Sequence, residues 1–229
     1  MISKNSRLLL ALTGSISIFG LAPVDECQAK SVHEPGSGLL IARKSSKKRI
    51  KVRIEHDVVM ADDLMLQGKF SDAEDLYKSA IGRNKKSDAA QVGYGMALAK
   101  QFKLDGAQAQ FEKILQENPR NAMAHAGLAL VKLNRLQSSN QNIRKNRDVI
   151  LSNAEAEVKQ GLAINNSMPE AHHTLGMIYK EQGRLDEALA SFKEAENLDP
   201  KYSDAFAGEG LVQMVKGNYT EAATAFKQA

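Results

Sequence analysis

Apolar and small residues recur along most of this chain at intervals of three and four, the period of an amphipathic helix. The pattern is sharpest between Pro169 and Tyr202. There Leu175, Gly176 and Tyr179 share one face of a predicted helix, and Ala188, Phe192 and Ala195 share one face of a second. Gly183 marks the turn between them, and Pro200 ends the second helix. Gly176 and Ala188 are small enough to let the helices approach closely, while Tyr179 and Phe192 fill the seam. β-branched runs of period two are missing after Val59, so no strand is expected.

This helical hairpin is 34 residues long, and reading outward at that period finds more copies. Residues 54–87 place Ala61, Gly68, Ala73, Tyr77 and Ala80 in register. Residues 88–121 supply Gly95, Ala107, Phe111, Ile114 and Pro119. Residues 122–168 supply Ala129, Ala154, Val158 and Gly161, and at 47 residues hold 13 more than the period. Residues 203–229 supply Gly210, Ala222, Phe226 and Ala229. The small contact residue of the second helix is Ala in every copy: Ala73, Ala107, Ala154, Ala188 and Ala222.

The leucine-glycine pair, tyrosine, alanine, aromatic and proline of 169–202 resemble the tetratricopeptide repeat, TPR, and the resemblance covers about 176 of 229 residues. Two places depart from it. His172 stands where the family often has tryptophan, and Phe102 where it commonly has a turn glycine. A type I turn would accept Phe102. The resemblance implies an all-α fold, a right-handed superhelical solenoid of about five hairpins, none able to bury its apolar face alone. It also implies a concave groove, lined by the first helix of each repeat, that grips an extended or helical peptide. Carried onto this sequence, the groove places are Val58, Asp62 and Met65, then Val92, Met96 and Lys100, then Met123, Ala126, Leu130 and Asn134. His173, Met177 and Lys180 follow from the fourth copy, and Ala207, Leu211 and Met214 from the fifth. Five of the eight methionines fall on this surface, and their flexible thioethers suit varied apolar partners. The family's clamp for acidic C-termini needs Lys and Asn where Val58, Val92, Ala126 and Ala207 stand, so that clamp is not expected.

Charge changes the picture at one place. The stretch from Arg43 to Arg53 holds seven basic residues and no acid, and without it the chain's net charge of +4 becomes −3. It is a candidate contact for an anionic surface, although a solvated linker is the plainer reading. No aromatic interleaves the charges, so no nucleic-acid partner is expected. Residues 30–53 are therefore read as a disordered basic linker. Before it, residues 1–29 have the form of a secretory signal peptide: Lys4 and Arg7, an uncharged run from Leu8 to Leu21, then Cys27-Gln28-Ala29. Cleavage after Ala29 would place the chain in the periplasm or outside the cell and remove the only cysteine. Inner-membrane anchoring by the same segment is the alternative.

Little else suggests chemistry. No phosphate loop, nucleophile or ligand cluster emerges, so the chain is not expected to be an enzyme or to bind a cofactor or metal. His125 and His172 hold equivalent repeat positions and read as packing residues, while the adjacent His173 points elsewhere. Ser71 and Glu74 could form a capping box. The polar insertion at 137–148 is expected as a mobile loop between two lengthened helices. The sequence given stops within the second helix of the last copy. Its apolar Ala222, Ala225, Phe226 and Ala229 are expected to meet further chain, a second copy or a partner. The function these features imply is a non-catalytic scaffold in a bacterial cell envelope. The alternatives are the recognition domain of a longer, enzymatic chain and a membrane-tethered adaptor.

Overall fold

The computed structural model describes residues 37–137 and 140–229, with the backbone alone for 37–47. The expected signal peptide lies outside the described residues. Among those residues there are eleven helices and no strand. They are α1 (Ser37–Leu66), α2 (Phe70–Arg83), α3 (Asp88–Lys100), α4 (Leu104–Glu117), α5 (Ala122–Arg135), α6 (Gln141–Lys145), α7 (Arg147–Ile164), α8 (Pro169–Glu181), α9 (Leu185–Leu198), α10 (Ser203–Lys216) and α11 (Tyr219–Gln228). Residues 43–229 form one compact unit; of 1–42, only the start of α1 is described.

The helices pair in sequence as antiparallel hairpins that stack side by side. α3 packs on α4, α5 on α7, α8 on α9 and α10 on α11, and each second helix also meets the first helix of the next hairpin. Ala61 of α1, Ala73 and Tyr77 of α2 and Ala97 of α3 share one core cluster, which joins the first hairpin to the second. First helices also touch one another, α3 with α5, α5 with α8 and α8 with α10, and so form an inner layer. The five alanines of the second helices are all buried.

On α4 and α9 a large ring joins two hairpins at once. Phe111 of α4 is fully buried between Gly95 of its own hairpin and Gly127 of the next. A Cβ added at Gly127 would lie 2.3 Å from Phe111 Cζ, and one at Gly95 would lie 2.7 Å from Phe111 Cε1. Gly176 and Gly208 enclose Phe192 in the same way. In the third copy the ring is replaced by Val158, and the two glycine positions hold Ala129 and Thr174. The smaller side chain at the wedge and the larger ones around it keep the volume balanced.

A second repeated device closes the turns between hairpins. Gln91 donates to the Lys85 carbonyl, and His125 and His172 each place Nε2 within 3.1 Å of a carbonyl, that of Pro119 and of Asn166. All three side chains sit at the same repeat position and reach back six residues. The histidines thus pack as expected, and the ring N–H takes up a turn carbonyl that burial would otherwise leave unpaired.

Several expectations need correction. Phe102 does not sit in a type I turn; its φ is +58°, the left-handed region that Gly68, Gly183 and Gly217 occupy at the equivalent turns. The cause is the helix ending. Lys103 N–H bonds to Leu98 O and Phe102 N–H to Ala99 O, a pairing that requires a left-handed residue just past the helix. Ser71 and Glu74 form no capping box. Glu74 is instead buried, at 6% exposure, and receives hydrogen bonds from Lys103 Nζ at 2.7 Å and Gln101 Nε2 at 2.9 Å, with Lys78 at 2.5 Å.

The insertion does not lengthen both flanking helices. α5 keeps 14 residues, while α7 grows to 18 and the short α6 precedes it. Arg147, at the start of α7, holds the addition in place through Glu181 Oε2 at 2.6 Å and the Glu181 carbonyl at 3.0 Å. Residues 37–53, expected as disordered linker, are helical and continuous with α1. The stretch has no Gly beyond Gly38 and no Pro, so nothing in it stops a helix begun in the first hairpin. At the last hairpin, Ala222 and Ala225 are covered by α10, contrary to expectation, whereas Leu211, Val215, Tyr219 and Phe226 remain exposed.

Candidate functional site

The inner layer puts one face of α1, α3, α5, α8 and α10 toward a shared concave surface. The main cleft there has a volume of about 600 Å³. Its floor is apolar: Met65 from α1, Val92 and Met96 from α3, and Met123 from α5. Each of these side chains is half-buried and rests on a core cluster beneath, so one side packs and the other faces the cleft. Asp62 lines the same cleft and accepts a hydrogen bond from the Tyr77 hydroxyl.

The far wall comes from a region that the repeat register does not place there. Glu170 at the start of α8, Asp199, Lys201 and Tyr202 in the α9–α10 turn, and Asp204 of α10 all line the cleft. The superhelical curl brings them opposite α3. Lys100 Nζ of the second hairpin lies 3.5 Å from Asp204 Oδ2 of the fifth. No in-register comparison of 34-residue units could reveal this, because the pair meets only through the rotation accumulated across the two intervening hairpins.

A smaller hollow of about 200 Å³ continues the concave surface from Lys100, with Leu130, Asn134, His173 and Met177 among its lining residues and Phe102 beside them. The His173 ring is tilted by 46° against that of Phe192, centroids 5.6 Å apart, and meets Tyr202 edge-on at 5.7 Å. Its pKa is lowered to about 4, chiefly by burial, with Asp204 opposing the shift and the cations Lys100 and Lys180 adding to it. The imidazole is therefore neutral at physiological pH. The Tyr202 hydroxyl is pushed well above its ordinary value, first by burial and then by the negative charges of Asp204, Glu170 and Asp199.

Of the sixteen groove residues taken from the sequence, ten line these two hollows: Asp62, Met65, Val92, Met96, Lys100, Met123, Leu130, Asn134, His173 and Met177. The other six lie elsewhere. Val58 and Ala126 belong to core clusters, and Ala126 is buried. Lys180 is half-buried and pairs with Glu181 at 3.3 Å. Ala207, Leu211 and Met214 sit on α10, with Leu211 and Met214 exposed. Among the described residues no group of three or more His, Cys, Asp or Glu is placed to hold a metal ion.

Comparison with known proteins bears on the family. The tetratricopeptide repeat model matches residues 64–131 and 169–202. The chain is a tetratricopeptide repeat protein. No curated protein matches its sequence. A thermophilic TPR protein of Thermus thermophilus shares the fold, with a TM-score of 0.67 at 19% identity, covering 77% of this chain and 91% of that one. MamA of Desulfovibrio magneticus aligns with a TM-score of 0.47 at 19% identity, over 77% of this chain and 92% of that one. YrrB, described as a TPR protein with an unusual peptide-binding site, aligns with a TM-score of 0.43 at 23% identity, over 75% of this chain and 82% of that one. Tetratricopeptide repeat proteins are generally non-catalytic scaffolds for protein–protein interaction.

Proposed function

We propose that this tetratricopeptide repeat protein is a non-catalytic interaction scaffold of a bacterial cell envelope that holds a partner peptide or helix in its concave groove. The observation that carries the groove is the cleft of about 600 Å³ floored by Met65, Val92, Met96 and Met123. An apolar, adaptable floor beneath a charged rim is the usual make-up of a peptide site, with burial supplying affinity and the rim supplying register. The envelope location rests on the sequence from Lys4 to Ala29. Among the described residues no helix is long and apolar enough to cross a membrane.

Two experiments test this reading. Partner capture from envelope extract should be lost in the Met96→Glu, Met177→Glu double variant with its far-UV circular dichroism unchanged. It should persist in Lys113→Glu, an exposed change on α4. If Lys113→Glu abolished capture and the double variant did not, the groove reading would fall. N-terminal sequencing of the exported protein should start at Lys30, and a start at Met1 would remove the case for cleavage.

A further inference from the structure

The floor of the main cleft is neutral and apolar, but its rim is not. Asp62, Glu170, Asp199 and Asp204 face it against two lysines, Lys100 and Lys201. Lys100 is already drawn to Asp204 at 3.5 Å, and Lys201 is exposed at the mouth. Glu170 has no ion-pair partner among the described residues. Glu170, Asp199 and Asp204 line the same cleft as Tyr202. His173, beside this end of the cleft, is neutral and adds no positive charge, and the charge of Lys180 is paired with Glu181 at 3.3 Å.

We infer that the segment held in this groove is basic and apolar, with aliphatic side chains seated on Met65, Val92, Met96 and Met123 and a neighbouring lysine or arginine turned to the acidic rim. The inference rests on the groove reading above and adds the sign of the partner. Four carboxylates against two lysines leave the rim net negative, so it repels an acidic segment; with Asp204 paired to Lys100 and Asp62 held by Tyr77, a neutral segment would leave Glu170 and Asp199 without compensation for their partial desolvation. A cation on the partner meets both requirements. This is the opposite charge preference to a clamp for acidic C-termini, and it agrees with the absence of Lys and Asn at the inner places Val58, Val92, Ala126 and Ala207.

The test uses three labelled twelve-residue peptides that alternate Leu with Lys, Leu with Ser, or Leu with Glu, titrated with the full chain by fluorescence anisotropy. Binding through the groove is defined as the part lost in Met96→Ser with Met123→Ser, which removes apolar floor without adding charge. This also discounts the attraction of the Glu peptide to the basic part of α1. By this measure the Lys peptide should bind about tenfold tighter than the Ser peptide, with the Glu peptide weakest. Glu170→Gln with Asp199→Asn should reduce that preference to within about threefold, while Glu112→Gln on exposed α4 should leave it intact. Equal or tighter floor-dependent binding of the Ser or Glu peptide would overturn the basic-partner inference and leave the groove reading standing. Floor-dependent binding by none of the three would overturn both.

Discussion

At the residue scale, the array depends on a ring held between two glycines. Phe111 lies against both Gly95 and Gly127, where an added Cβ would stand 2.7 Å and 2.3 Å from the ring. Gly127→Ala should therefore destabilise the protein by about 1–3 kcal/mol through overpacking. The loss should shrink when Phe111→Leu is made as well, and a double-mutant cycle by urea unfolding measures the coupling. Additive losses would show that ring and glycine do not meet. Gly95 was legible because it faces a ring in its own hairpin. Gly127 was not, since its partner belongs to the previous hairpin and the contact depends on how hairpins stack. Phe102 is the reverse case. The sequence showed that a glycine was missing but not that the backbone would still require a left-handed residue. Phe102 is 57% exposed, so its ring gives little packing in return. Phe102→Gly should relieve about 1–2 kcal/mol of left-handed strain. Glycine's greater freedom in the unfolded chain offsets about half of this. A higher urea midpoint with unchanged slope is the expected result, and a lower midpoint would mean that the ring stabilises more than the turn strains.

At the element scale, periodicity located the helices well, because each needs an apolar stripe to reach the core. It was less informative where an element's role comes from a neighbour. Glu74 looked like a surface or capping residue of α2, yet it is the buried acceptor that ties α2 to the turn after α3. Its pKa is lowered from 4.5 to about 2, chiefly by the hydrogen bond from Lys103 and next by that from Lys78, against the opposing effect of burial. The folded-state value lies below the unfolded one, so this link stabilises fully above about pH 4.5 and is lost as the pH falls toward about 2. Glu74→Gln removes the titration. The stability difference between parent and variant should be greatest near neutrality and close over that acid window in thermal scans. A pH-independent difference would show that the carboxylate is not held in its charged form. The insertion teaches a similar lesson. Its polar composition suggested a loop, but Arg147 reaches Glu181 of the next hairpin and gives α7 a reason to start early.

At the scale of the whole molecule, the chain's organisation was legible and the site only partly so. A repeat that recurs in register fixes which residues face the inner layer, and ten of the sixteen expected groove residues line its two hollows. What register cannot give is curvature. The opposite wall, from Glu170 to Asp204, reaches the cleft only because successive hairpins rotate, and the Lys100–Asp204 pair marks where the curl brings the second hairpin to the fifth. The central claim is that partners enter this concave surface. Methyl NMR of the methionines tests it most directly, because Met65, Met96, Met123 and Met177 line the concave hollows, whereas Met60 is exposed elsewhere and Met168 lies in the core. On titration with the partner recovered from envelope extract, the signals of Met65, Met96, Met123 and Met177 should shift together while those of Met60 and Met168 stay in place. Shifts at Met60 with the four groove methyls unmoved would contradict the account.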